Sequence, residues 1–344
     1  MCVLITAAVS LVMAGAALAA GPSLAEACAG LIGSNGAVNL GRTTTLAAYH
    51  DGTEHYVTAF QFQGGGGEFG SLIPLPAVPT NVERGGAWTL QRLQQETQLE
   101  EASALTATFA FDSGRAEVLQ EVRIDALDLT VLKGGGADVA VWAKEHGFRL
   151  SPDAPEVLDF YAARSPIFLA AVFDGAAALE RGQQIGDGTP VHITMPTSNP
   201  WVPLRILTLG KQPEDQVIAD VFLLTDGRPA LLPAPRDEGF ALTHSDAATT
   251  SLLDDLRSDD GMSWVPESAW LTKLQIDTSA ADLSFDLAVD TSGRHDPSPV
   301  AAGLELPDAD SNLSAIVWAL TAAAAAALIA AVALRLDTPW PARR

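Results

Sequence analysis

The clearest pattern along the chain is a pair of strand-like runs at residues 43–50 and 55–63, the second of which sets Tyr56, Thr58, Phe60 and Phe62 on one face at period two. Asp51-Gly52 lies between them, and a tight hairpin turn needs the positive φ that this pair accepts. A β-hairpin is therefore predicted. A four-glycine loop follows at 64–67, then a strand at 69–75 punctuated by Pro74, Pro76 and Pro79. Residues 87–103, rich in Gln, Glu and Leu, read as a helix. Residues 117–132 read as one extended strand, with Val118, Val122, Ile124 and Leu132 facing the core. Residues 138–146 form a short helix with Val139, Trp142 and Ala143 on one face, ended by Gly147. Asp153 and Pro155 open another helix that runs to Arg164. Strands are expected at 167–173, 190–195, 202–209 and 217–225, a helix at 246–257, and strands at 271–277 and 283–289. Strands and helices alternate irregularly, which predicts an α+β fold with a mixed, largely antiparallel, β-rich sheet arrangement.

The two ends break this pattern. Residues 3–20 are uncharged and apolar, and Gly21-Pro22 follows. Ala17-Leu18-Ala19 and Ala25-Glu26-Ala27 are small-x-small cleavage candidates, so residues 1–27 read as a signal peptide, although no Lys or Arg lies near Met1. Near the other end, residues 313–334 carry no charge, and at about 1.5 Å per residue they span roughly 33 Å. That matches a hydrocarbon core about 30 Å thick. The following segment, 335–344, holds Arg335, Arg343 and Arg344 against Asp337 alone, which places it in the cytoplasm by the positive-inside rule. Residues 291–312, dominated by Pro, Ser, Asp and Gly, read as a stalk. The expected layout is thus an extracytoplasmic domain at 28–290, held to the cell membrane by one C-terminal transmembrane helix.

Charge narrows the function classes. The chain has 42 acidic and 20 basic residues, a formal net charge of −22. The acids are spread rather than clustered, and no basic stripe is present, so nucleic acid is not an expected partner. There are two cysteines, Cys2 and Cys28. Cys2 falls in the export segment, which leaves Cys28 alone and rules out an internal disulfide or a clustered-cysteine zinc site in the mature chain. Glu26 and Ala25 fit a lipidation motif poorly.

Four blocks in order carry a resemblance: TLAAYHDGTEHYVTAFQFQGGGGEFGSLIPLPAVPTNVERG, VWAKEHGFRL, FYAARSPIFLAAVF and TPVHITMPTSNPWVPLRILTLG. Together they make residues 28–290 resemble a bacterial family known as domain of unknown function 2330. The resemblance implies export and a shared fold. It brings no activity and no site residue.

Candidate chemistry is sparse. His50 and His55 flank the hairpin turn, with Asp51 and Glu54 beside them, and such a group suits Zn²⁺ or Cu²⁺. An ordinary polar turn is the competing account. His146, His192, His244 and His295 are dispersed; His146 ends a helix, where a cation is favoured. Asp254, Asp255, Asp259 and Asp260 precede Gly261 without the spacing of a calcium loop. The glycine run lacks the Lys-Ser/Thr of a phosphate loop, Gly261-Met262-Ser263-Trp264-Val265 fails the serine-nucleophile motif, and no cofactor fingerprint is found. Trp88, Trp142, Trp201, Trp264 and Trp270 would line a cleft or pack in the core. Arg205, in an apolar run, must be paired or reach for solvent. The sequence favours a non-catalytic binding or interaction module of the bacterial envelope, with an unidentified ligand or envelope partner. Two alternatives remain open: a hydrolase-like envelope enzyme built on dispersed carboxylates, and a metal-binding protein using His50 and His55.

Overall fold

The computed structural model describes residues 30–33, 42–61, 69–97, 117–174, 188–236 and 238–307. The expected signal peptide, glycine loop and transmembrane segment lie outside these residues. Among the described residues no helix is long and apolar enough to cross a membrane.

Two sheets stack face to face. The seven-stranded sheet is built from β2 (Thr43–His50), β3 (Thr53–Gln61), β5 (Asn81–Arg84), β9 (Gly188–Pro196), β11 (Gln216–Thr225), β13 (Phe240–Ala247) and β14 (Trp270–Ser279). Its order is β13-β14-β11-β2-β3-β9-β5, antiparallel throughout except for the parallel pair β2–β11. The five-stranded sheet holds β1 (Gly30–Gly33), β4 (Phe69–Leu75), β6 (Glu117–Ile124), β7 (Leu127–Lys133) and β8 (Ile167–Phe173), in the order β1-β4-β8-β7-β6. A small third sheet joins β10 (Trp201–Val202), β12 (Ala230–Leu232) and β15 (Leu287–Asp290).

Among the described residues, four α-helices cover the outer faces. The helices α1 (Thr89–Thr97) and α4 (Thr250–Ser258) pack Leu90, Leu93, Leu252, Leu253 and Leu256 onto Leu46, Ala48, Val57, Phe222 and Leu224 of the large sheet. The helices α2 (Gly136–Glu145) and α3 (Ala154–Ala162) cover the small sheet through Val139, Trp142, Leu158 and Tyr161. Between the sheets lies the main core, to which both contribute alternate residues: Ala47, Tyr56, Ile193, Val221 and Leu223 from one, Ile73, Leu129, Val131 and Leu169 from the other. This layering explains the near-continuous apolar runs of β8 and β11, which are buried on both faces. The polar, half-exposed β13 is an edge strand.

The fold is the α+β, largely antiparallel arrangement the patterning predicts, and the Asp51-Gly52 turn has φ of 52° and 78° as expected. Several elements differ. The single strand expected at 117–132 is the hairpin β6–β7, because Asp125 takes a positive φ of 54° and turns the chain. The strand expected at 202–209 ends at Val202. Beyond it the backbone donors of Leu204, Arg205 and Ile206 go to the side chains of Asp286 and Tyr161, and the chain coils into a 3₁₀ turn at Arg205–Thr208. The helix expected from 246 starts instead at Thr250, capped by the Thr249 hydroxyl accepting from Leu252 N at 3.2 Å. Residues 246 and 247 belong to β13. The strand expected at 283–289 is confined to Leu287–Asp290. Part of the segment expected to be a stalk is docked on the domain: Ala302 is buried, Asp286 N donates to Ala302 O at 3.0 Å, and Ala301 O accepts from Arg164.

Candidate functional site

Two of the places that gather polar chemistry lie on opposite faces of the β2–β3 hairpin. Alternation along the strands separates them. Tyr49 and Glu54, which oppose each other, face the small sheet, while His50 and His55 face the helix side.

On the Tyr49 side lies a cavity of about 250 Å³. The loop following β9 forms one wall with Thr197, Ser198, Asn199 and Trp201. The C-terminal end of α3 adds Arg164, β15 adds Val289, and the docked segment near Ser298 closes the far side. Hydrogen bonds fix this wall. The Tyr49 hydroxyl donates to Thr197 O and Ser198 O, Thr197 Oγ1 donates to Asn199 O, and Asn199 Oδ1 accepts from Thr291 N. The lining is therefore made of hydroxyls, an amide and carbonyls around apolar surface, with one guanidinium.

That guanidinium belongs to a buried network. Asp286 is fully buried, and its Oδ1 accepts from the Tyr161 hydroxyl (2.8 Å), Leu204 N (2.7 Å) and Arg205 N (3.0 Å). Its Oδ2 accepts from Arg164 Nη2 at 3.0 Å. Every partner is a donor, so the group is an ionised carboxylate. Burial pushes its pKa up, opposed chiefly by the adjacent guanidinium. Arg164 also donates to Phe160 O and Ala301 O and lies over the Phe160 ring at 3.7 Å. Glu54, also fully buried, accepts from Trp201 N at 3.3 Å, while its Oε2 has no hydrogen-bond partner. Burial pushes this carboxyl up to about 8, so it is protonated at neutral pH.

On the helix side, His55 Nδ1 lies 2.9 Å from His192 Nε2, and His192 Nδ1 lies 3.2 Å from Glu83 Oε1. The His55 ring stacks on Trp264 with centroids 3.9 Å apart and planes 6° off parallel. Burial holds both imidazoles down to about 4. Trp264 sits on a tightly held segment. Asp259 caps α1 by accepting from Ala87 N, Trp88 N and the Thr89 hydroxyl, and Arg257 donates to Val265 O and Pro266 O. Gly261 takes a φ of 77°, and Arg84 O lies 2.7 Å from where a Cβ would stand.

The residues singled out by sequence fall in different places. His50 pairs with Asp226 (2.6 Å) and His55 with His192, so the two imidazoles do not bond each other, and neither Asp51 nor Glu54 joins them. Among the described residues no three His, Cys, Asp or Glu side chains gather as a metal group. The acidic cluster dissolves into separate roles: Asp254 pairs with Arg257, Asp255 with Arg92, and Asp259 caps α1. His146 is not a helix-end cation. It stacks on Trp142 at 3.6 Å, donates Nδ1–H to Trp142 O, and is held down to about 4 by burial. Arg205 pairs with Glu156 and lies over Phe160 at 4.2 Å. Trp201 lines the cavity and Trp142 the core. Sequence reasoning missed Arg164, Tyr161, Asp286, Glu54 as a buried group, and His192 as the partner of His55. Asp286 and His192 share one signal, an ionisable residue inside an otherwise apolar run; Glu54, in the polar turn 50–55, carries no such mark.

No curated protein matches the sequence. Solved structures of similar shape include baculovirus P35, with 13% identity over 73% of this chain and 96% of that chain and a TM-score of 0.38. A mutated baculovirus P35 after caspase cleavage shows 10% identity, coverage of 72% and 99%, and a TM-score of 0.39. The caspase-8/P35 complex shows 11% identity, coverage of 72% and 95%, and a TM-score of 0.35. Likeness at this level carries no argument about function. Sequence gives the firmer relationship: residues 22–288 match the family described as uncharacterized protein conserved in bacteria (DUF2330), and the chain belongs to that family.

Proposed function

We propose that this protein is a membrane-anchored extracytoplasmic binding module of the bacterial envelope, and that the cavity beside Trp201 receives its ligand. Placement outside the membrane rests on the apolar segments at 3–20 and 313–334 and on the arginines that follow the second. The observation that carries the binding reading is the cavity lining. It offers hydroxyl, amide and carbonyl groups on rigid elements, and its one charged side chain, Arg164, is already paired with Asp286. Such a site suits a small, neutral, polar group, such as one sugar ring or one amide-bearing side chain. At about 250 Å³ it is smaller than the 300–1,000 Å³ common for drug-sized ligands. The carboxyls with raised pKa, Glu54 and Asp286, are fully buried and do not line it. An acid–base pair for hydrolysis would have to converge on the substrate, so this arrangement supports binding over a hydrolase built on dispersed carboxylates.

Chemical crosslinking with mass spectrometry on intact cells tests the reading. A reproducible envelope neighbour is expected for the wild type, and Trp201→Ala should lose it. Identical neighbours in both, or none in either, would overturn the proposal. A reporter fused after Arg344 should be active only in the cytoplasm; activity outside would reverse the orientation.

A further inference from the structure

The turn at 298–304 belongs to two parts of the molecule at once. Ser298, Val300 and Ala301 line the Trp201 cavity. The same turn is the docked element nearest the apolar segment at 313–334. Its own hydrogen bonds close it on itself: Ala301 N donates to the Ser298 hydroxyl (3.2 Å), Ala302 N to Ser298 O (3.0 Å) and Leu304 N to Pro299 O (2.9 Å). Among the described residues two hydrogen bonds tie it to the rest of the domain, Asp286 N to Ala302 O and Arg164 Nη1 to Ala301 O, each 3.0 Å. Ala302 is fully buried, whereas Leu304 and Leu306 are exposed. Gly303, at a φ of 71°, lies against α3, and a Cβ there would overlap the Phe160 ring.

Docking and cavity share one guanidinium. Arg164 lines the cavity, holds Ala301 O and pairs with Asp286, whose main-chain N–H holds Ala302 O. The other wall, at Thr197, Ser198 and Asn199, is braced from elsewhere, by the Tyr49 hydroxyl on β2 and by Thr291 N. One wall is therefore fixed to the large sheet, and the other is a short turn held by two hydrogen bonds and one buried alanine. A segment with so few contacts opens more readily than the strands of the core. A ligand seated between the walls gains the second one only while the turn is docked. It holds the turn down in return, because coupling between two binding events is reciprocal.

We infer that residues 298–304 are a strap that closes the cavity over its ligand, so that occupancy of the cavity fixes where the chain leaves the domain toward the membrane. The inference rests on reading the cavity as the ligand site and 313–334 as the anchor. Residues 308–312 alone separate Pro307 from that apolar segment, at most about 22 Å of extended chain. A tether this short passes on a movement of the strap, whereas a long flexible linker would absorb it. The strap thus gives the domain a physical route from a bound ligand to the membrane-spanning segment.

The test uses the full chain with a photoreactive residue at Ser198, irradiated in living cells. Molecules crosslinked to an envelope neighbour and molecules left free are purified in detergent and compared by hydrogen exchange. The amides of Asp286 and of residues 302–304 should exchange about fivefold more slowly in the crosslinked chains, the low end of coupling between sites. Gly303→Val, whose side chain keeps the turn from docking, should lose the protection of these amides and reduce the Ser198 adduct about fivefold. The amides of β11 and β14 should stay protected in that variant; if they do not, the comparison of crosslinked and free chains without it decides alone. Equal exchange in crosslinked and free chains, or an undiminished adduct in an undocked Gly303→Val, would overturn the strap and leave the cavity as the binding site. No Ser198 adduct without the Gly303 substitution would instead overturn the reading of the cavity, and the strap with it.

Discussion

Asp286→Ala is expected to destabilise the protein by about 3–5 kcal/mol, the cost of stranding one partner of a buried ion pair. The carboxylate accepts four hydrogen bonds and is fully buried. Its removal leaves the Arg164 guanidinium, itself almost completely buried, without its counter-charge. Leu204 N, Arg205 N and the Tyr161 hydroxyl lose their acceptor in the same step. The effect is structural as well as energetic, because this residue ties α3, the 3₁₀ turn and β15 together at one point. Asp286→Asn keeps a carbonyl oxygen for the backbone donors but sets an amide against the guanidinium, so it should cost less than alanine. Urea unfolding of the two variants measures both. A cost below about 1 kcal/mol for Asp286→Ala would show that the network does not hold these elements together.

Stability is expected to peak near pH 6.5 and fall on both sides. His55, His192 and His146 are held to about 4 in the folded protein, against an ordinary 6.5. The unfolded chain therefore takes up protons first, and the stability these residues carry is lost as pH falls from 6.5 through 4. Glu54 works in the opposite direction, with a folded value of about 8 against 4.5. Its contribution is complete below 4.5 and is lost as pH rises through 8. Between 4.5 and 6.5 three histidines outweigh one glutamate, so stability rises with pH. Between 6.5 and 8 only Glu54 titrates in this set, and the decline should be roughly 2 kcal/mol at about 1.4 kcal/mol per pH unit. Glu54→Gln should remove that decline and leave the acid limb intact. Unfolding curves at pH 5, 6.5 and 8 decide the matter; a flat profile from 6.5 to 8 in the wild type would mean that Glu54 is not held protonated.

Much of the fold was legible because the sequence states it locally. The hairpin follows from Asp51-Gly52 between two strand-like runs, β8 and β11 from near-continuous apolar stretches, and the end of α2 from Gly147, whose φ is 79°. Elements decided by distant partners were not legible. The β6–β7 turn hides in a run that holds neither Gly nor Pro, because Asp125 adopts the positive φ. The strand expected beyond Val202 yields to side chains some 40 to 80 residues away, which take its backbone donors. The candidate sites show the same division. His50 and His55 stand out as a local pair, but His192 lies 137 residues from His55 in sequence and no short pattern joins them. The cavity is assembled from α3, the loop after β9, β15 and a segment that reads as a stalk. Only the topology brings these together.

Site-specific photo-crosslinking inside the cavity tests the central claim most directly. A photoreactive residue placed at Ser198, on the cavity wall, should capture a defined envelope component in living cells. The same residue at Val141, half exposed on the outer face of α2, should capture nothing specific, and adding Trp201→Ala should abolish the Ser198 adduct. Equal capture at both positions, or a Ser198 adduct indifferent to Trp201, would contradict the assignment of this cavity as the binding site.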